Sequence, residues 1–96
     1  MPKVVWSPTA SRDIERHYNF LLAQSNNTAT KAVQKIVQTG DSLAKNPYRG
    51  TVVRSSVGLR KLLVSFGKYG YAIHYTVIEE DVVILRIYHG RENRLI

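Results

Sequence analysis

The sequence predicts an α+β domain: an N-terminal helical hairpin packed on one face of a small antiparallel β-sheet. Two features point to this fold. Up to residue 45 the apolar positions recur at helical spacing. Beyond the break Asn46-Pro47-Tyr48-Arg49-Gly50 they recur at every second residue, in runs rich in Val, Ile, Leu and Tyr. The resulting order, one short strand, two helices and then three strands, leaves a single sheet face for the helices to cover. With 96 residues the chain is one domain, residues 1–96. A domain of this size buries only about 60–65% of its unfolded surface, so its core is thin and function belongs on a surface or in a shallow groove.

Each element has a local reason. Val4-Val5-Trp6 reads as a short strand. Ser7 is placed to cap a helix, and Pro8 occupies its first position, where a fixed φ and a missing N–H do no harm. That helix runs to about Gln24 and presents Ile14, Tyr18, Leu21 and Leu22 on one face, with Arg12, Asp13, Glu15, Arg16 and Asn19 assigned mostly to solvent. Ser25-Asn26-Asn27 reads as a turn. Thr28 then caps a second helix to about Lys45, whose stripe is Ala29, Ala32, Val33, Ile36, Val37, Gly40 and Leu43. Residues 59–65, 71–78 and 82–88 read as strands. Their links, Gly67-Lys68-Tyr69-Gly70 and Glu79-Glu80-Asp81, are short enough for an antiparallel meander. The last strand starts apolar on both faces, the pattern of a covered, central strand.

The formal charge is +7, from 14 basic and 7 acidic residues. Three of the four acids beyond residue 45 sit together in the Glu79-Glu80-Asp81 turn, at one end of the sheet. The remaining charges there are mostly positive: Arg49, Arg54, Arg60, Lys61, Lys68, Arg86, Arg91 and Arg94. Such a surface favours acidic partners, whether nucleic acid or protein. The absence of cysteine excludes disulfides, a thiolate nucleophile and a cysteine zinc site. His17, His74 and His89 have no paired metal spacing, so neither metal nor cofactor is expected. No apolar run approaches ~18 residues and no apolar leader is visible, so the expected location is the cytoplasm, away from membranes.

Arg60 and Arg86 interrupt apolar strands. If they point away from the helices, they share the exposed face with His74 or Tyr88 and can bind phosphate or carboxylate through a bidentate fork. If they lie along the sheet, they form surface ion pairs worth under ~1 kcal/mol. The segment Tyr88-His89-Gly90-Arg91-Glu92-Asn93-Arg94 leaves the last strand. There His89 can act as an acid or base, and Arg91 can stabilise a developing anion. Together they are a minimum set for metal-free RNA cleavage, and equally an ordinary polar surface. The residues expected to meet a target are Arg60, Lys61, Arg86, Tyr88, His89, Arg91 and Arg94. In a nuclease, His89, Arg91 and Arg60 would be the catalytic candidates. No glycine-rich phosphate loop, Walker motif or helix-turn-helix pattern occurs.

In order and spacing, several pieces resemble the ParE/RelE toxin superfamily over nearly the whole chain. They are Val5-Trp6-Ser7-Pro8 with Ala10 and Asp13-Ile14; Leu43, Asn46-Pro47 and Gly50; and Gly58-Leu59-Arg60-Lys61. Two longer runs follow, Tyr69-Gly70-Tyr71-Ala72-Ile73-His74-Tyr75 and Val83-Ile84-Leu85-Arg86-Ile87-Tyr88-His89-Gly90-Arg91. The resemblance implies the same hairpin-on-sheet fold in a toxin of a type II toxin-antitoxin system. It also implies a hetero-oligomer with a cognate antitoxin, ParD-like or another short protein with an acidic tail, disordered until it wraps the toxin. RelE-like members cut mRNA in the ribosome, whereas ParE-like members inhibit DNA gyrase. Arg91 falls where RelE-like toxins carry a C-terminal catalytic arginine. Ala72 stands where they tend to have another arginine, and the tyrosine some of them use past Arg91 has no counterpart before Ile96. The run ending His89-Gly90-Arg91 is more similar to the ParE branch, which implies a gyrase inhibitor. The ribosome and its mRNA are the alternative target, with His89 as acid or base.

Overall fold

The computed structural model describes residues 2–53 and 57–93. Its elements are β1 (Val4–Trp6), α1 (Pro8–Leu22), α2 (Asn26–Asp41) continuing into a 3-10 turn at Ser42–Ala44, β2 (Thr51–Val52), β3 (Arg60–Val64), β4 (Tyr71–Ile78), β5 (Asp81–His89) and the single turn α3 (Gly90–Asn93). The strands form one sheet in the order β1-β5-β4-β3-β2. The meander β3-β4-β5 is antiparallel as expected, and the apolar β5 lies inside the sheet. The sheet as a whole is mixed, because β1 pairs parallel with β5. The intervening helices and meander supply the long connection that parallel pairing needs. The two-residue β2, opposite Arg60 and Lys61, is too short to leave a periodic signal in the sequence.

Capping sets where the helices begin. Ser7 Oγ accepts the Ala10 N–H at 3.0 Å, with Pro8 in the first turn. The second helix starts two residues before the expected Thr28 cap. Ser25 is extended there, and its Oγ accepts the Thr28 N–H at 3.3 Å, so Asn26 and Asn27 form the first turn. The α2 stripe faces inward: Ala29, Ala32, Ile36 and Gly40 are buried, followed by Leu43. Gly40 is needed because a Cβ there would stand 2.5 Å from Trp6 Cη2. The indole Nε1 donates to Asp41 at 3.1 Å. On the sheet side, Leu62, Val64, Ile73, Tyr75, Ile84 and Ile87 complete the core. The fully buried Tyr75 has its hydroxyl satisfied by the Gly50 N–H at 2.8 Å.

The border of β5 explains much of the rest. β1 reaches only Val82, Val83 and Ile84. Beyond them the outward main-chain groups of β5 have no strand to pair with, and an unpaired buried group of this kind is costly. Side chains from α1 and α3 take the place of a strand. Ser7 Oγ donates to Leu85 O at 3.1 Å. Asp13 Oδ2 accepts the Ile87 N–H at 2.9 Å, and His17 Nε2 bonds Ile87 O at 2.8 Å. Glu92 Oε1 accepts the His89 N–H at 2.8 Å. The expectation that Asp13 faces solvent is therefore corrected: it is buried, because a β5 amide needs an acceptor at that height of α1. The turn between β4 and β5 is equally specific. Glu79 and Glu80 both have positive φ, 49° and 74°, as a two-residue type I′ turn requires.

Candidate target-binding surface

Six of the seven residues expected to meet a target divide among three places. Arg60 shares the strand face of Leu62 and Val64, toward the helices, rather than the outer face with Arg86. Its Nη1 donates to Tyr48 O at 3.2 Å and Gly50 O at 2.8 Å, and its guanidinium lies 5.0 Å from the Tyr48 ring centroid. The expectation that Arg60 and Arg86 share one face is thus corrected. Strand alternation separates them, and Arg60 is engaged in holding the loop before β2.

Arg86, Lys61 and Tyr88 belong to the second place. Arg86 and Lys61 are both register partners of His74 on β4. The Arg86 guanidinium reaches the β5 border, with Nε 2.8 Å from Asp13 Oδ2 and Nη2 3.3 Å from Oδ1, and lies 4.8 Å from the Tyr88 ring. Of the two readings open for Arg86, the ion pair is the one observed, although its partner is a buried carboxylate rather than a surface one. Burial pushes the Asp13 carboxyl up, but the Arg86 fork, the Ile87 N–H and the charges of Arg86 and Arg16 outweigh it, so Asp13 stays below its usual range. The Tyr88 ring meets His74 edge to face at 4.8 Å, and His74 Nε2 bonds Asn93 Oδ1 at 3.0 Å. Ala72, next to this cluster, is fully buried. Arg54 and Arg94 lie outside the described residues.

His89 and Arg91 occupy the third place, a groove of about 480 Å³ between the end of α1 and the start of β4. Sequence reasoning missed six of its other members, Arg16, His17, Phe20, Leu21, Tyr69 and Tyr71, and named Glu92 only as part of the segment leaving β5. Gly90 lets the chain turn here. Its N–H donates to Gly70 O at 2.9 Å, and a Cβ at this position would collide with the Tyr69 carbonyl. His89 packs against Tyr69 and Tyr71 at 5.7 and 5.6 Å, and His17 against Tyr71 at 5.0 Å. The Arg91 N–H donates to His89 Nδ1 at 3.2 Å. The Arg91 guanidinium is exposed and lies 4.8 Å from the Tyr69 ring.

Charges around the groove are unequal. Arg16 Nη1 is 3.1 Å from Glu92 Oε2. Burial raises the Glu92 carboxyl, but the His89 N–H and Arg16 outweigh it and hold it below its usual range. Burial also pushes His17 down and Tyr71 up, so both stay neutral near pH 7. Chemically, the groove offers the His89 imidazole and the exposed Arg91 guanidinium over an aromatic wall. Among the described residues no cluster of three or more His, Asp or Glu is arranged to hold a metal. No described helix is long and apolar enough to cross a membrane.

Residues 4–94 match the family model of the ParE toxin of the type II toxin-antitoxin system, parDE. Two curated relatives come from Caulobacter vibrioides. Toxin RelE3 is 36% identical over 94 residues, covering 98% of this chain and 100% of its own. Toxin RelE1 is 31% identical over 91 residues, covering 95% and 96%. Among solved structures, the chromosomal ParDE system from P. aeruginosa shares the fold with a TM-score of 0.79 at 24% identity, over 93% of this chain and 96% of that one. The RelBE2 toxin-antitoxin complex from Mycobacterium tuberculosis has a TM-score of 0.56 at 26% identity, over 93% and 99%. A hairpin on a five-stranded sheet, a C-terminal groove holding His89 and Arg91, and these matches across nearly the full length agree: the chain belongs to the ParE/RelE superfamily of type II toxins.

Proposed function

We propose that this toxin arrests growth by binding DNA gyrase in the cytoplasm and is neutralised by a cognate antitoxin with an acidic tail. The observation that carries this reading is that two of the described basic candidates are already engaged within the chain. Arg60 and Arg86 are held by the chain's own carbonyls and by Asp13, and Ala72 offers a buried methyl where a nuclease would place a cation. What remains open at the groove, Arg91 beside His89, suits binding to a large acidic partner better than in-line RNA cleavage, which needs several converging charges. The purified protein at micromolar concentration should block supercoiling by gyrase, and Arg91→Ala should relieve that block with an unchanged melting temperature. Undisturbed supercoiling would remove gyrase as the target.

A second reading has its own support. His89 lines the groove, Arg91 stands next to it, and both Caulobacter relatives are named RelE. In that case His89 is the acid or base of a ribosome-dependent mRNA interferase and Arg91 stabilises phosphate charge. Mapping transcript ends after induction separates the two: codon-phased cuts support the interferase, and a DNA-damage response without such cuts supports gyrase.

A further inference from the structure

The solvent face of α2 carries charge of one sign. Lys31 and Lys35 are exposed one turn apart, and exposed Lys45 extends the stripe past the end of the helix. Exposed Arg49 is drawn back to it by a 2.6 Å bond from Nη1 to Ser42 Oγ. Thr28 and Gln38, also exposed and at the same three-residue spacing from these lysines, add uncharged donors. From Asn26 to Gly40 the helix has no carboxylate. The next residue, Asp41, accepts the Trp6 indole N–H at 3.1 Å. None of the four cations is in an ion pair among the described residues. The exposed face of α1, by contrast, mixes Arg12 and Arg16 with Glu15. Like charges at i, i+4 destabilise a helix, so setting Lys31 beside Lys35 does nothing for the fold. No residue of α2 is an exposed large apolar side chain. Protein interfaces are anchored by such side chains, whereas phosphate contacts come from Lys, Arg, Ser, Thr and Gln.

We propose that this face of α2, with Lys45 and Arg49, is a sequence-independent contact for the phosphate backbone of duplex DNA. Lys31 to Lys45 covers about 20 Å at the rise of a helix. That is the length of about six base-pair steps, along which one strand offers a phosphate every ~3.4 Å. The stripe shares no residue with the groove that holds His89 and Arg91. The two surfaces can therefore be occupied together. This deepens the gyrase reading above, on which its biological meaning rests: gyrase works on duplex DNA, so the toxin would grip the enzyme through one surface and the enzyme's DNA through the other.

The probes are two fluorescent DNA duplexes of about 20 base pairs and unrelated sequence, titrated with the full chain and followed by anisotropy at several salt concentrations. Single-stranded RNA and a polyglutamate peptide are the comparisons. Both duplexes should bind equally, with a Kd of about 10–100 μM near 0.15 M salt. Four phosphate contacts at about 0.9 each predict that log K falls with log salt at a slope of about −3 to −4. The triple variant Lys31→Gln, Lys35→Gln, Lys45→Gln should lose about three units of that slope and at least about tenfold in affinity near 50 mM salt. These side chains are exposed, so the variant should melt like the wild type, and the corresponding triple change to Arg should restore binding. No duplex binding near 50 mM salt, an unchanged slope in the Gln variant, or tighter binding of the RNA or the peptide than of the duplex overturns the proposal. Supercoiling assays separate the two levels of the argument. A wild type that blocks gyrase without binding duplex sinks the DNA contact and leaves the gyrase reading standing. A wild type that binds duplex through α2 without blocking gyrase does the reverse.

Discussion

Replacing Asp13 by alanine tests how the β5 border is held. The first loss is the acceptor for the Ile87 N–H, a 2.9 Å bond in a buried position. Leaving that amide unsatisfied costs about 1–3 kcal/mol. The second is the partner of Arg86, whose side chain is 40% exposed, so solvent screening limits this part to about 1 kcal/mol or less. Arg16, 3.6 Å from Asp13 and half exposed, adds little. The total is about 2–4 kcal/mol, a large share of the 5–15 kcal/mol that holds a typical domain together. For a chain this short each kcal/mol moves the midpoint by about 4–8 °C, so the melting temperature at pH 7 should fall by about 10–25 °C. Asp13→Asn keeps an acceptor and loses only the charge, and should cost about half as much. Circular dichroism melts across pH are the assay. The Asp13 carboxyl is held below its ordinary 3.8, so its contribution is complete above 3.8 and drains away as pH falls through the lower native value. The gap between wild type and Asp13→Ala should therefore narrow in acid. A midpoint shift under about 3 °C at pH 7, or a gap that stays constant below pH 3.8, would refute the reasoning.

Three further outcomes follow from single sites. Burial keeps His17 neutral with its pKa below 6.5, so the unfolded chain takes up that proton first and stability should decline as pH falls from about 6.5; His17→Gln should flatten the slope in melts between pH 7.5 and 5. Gly40→Ala gains about 1 kcal/mol of helix propensity but drives a methyl into Trp6. Overpacking of that kind costs about 1–3 kcal/mol, so the urea midpoint should drop rather than rise. Changing Glu79-Glu80 to Asn-Gly should stabilise the protein by about 1–2 kcal/mol, because both positions have left-handed backbone; an unchanged urea midpoint would contradict this.

The architecture could be read ahead of the structure because its signals are local and periodic. Ser7-Pro8, the α2 stripe from Ala29 to Leu43 and the alternation of Tyr71, Ile73 and Tyr75 each state their geometry within a few residues. The surface was harder to read because its logic is long-range. Asp13 and Arg86, joined by two hydrogen bonds, are 73 residues apart in the sequence. Nothing in the local pattern of α1 distinguishes Asp13, which serves a strand, from Glu15, which faces water. Arg60 misled for a related reason: a strand's parity is visible in sequence, but which parity meets the helices at the sheet's far edge depends on the register with β4. His89 and Arg91 stand out in the sequence because they leave a strand end together. Tyr69 joins them through the close approach that Gly90 allows, and Phe20 through the packing of α1 on β5.

A sheet margin sealed by side chains differs in kind from one sealed by another strand. Backbone pairing is nearly indifferent to residue identity, so ordinary strands tolerate drift. Here Ser7, Asp13, His17 and Glu92 each supply one specific donor or acceptor. A single codon change at any of them leaves one β5 amide or carbonyl without its partner, a first opening in an edge to which another chain can add. This margin is therefore where the molecule's solubility is most exposed to mutation.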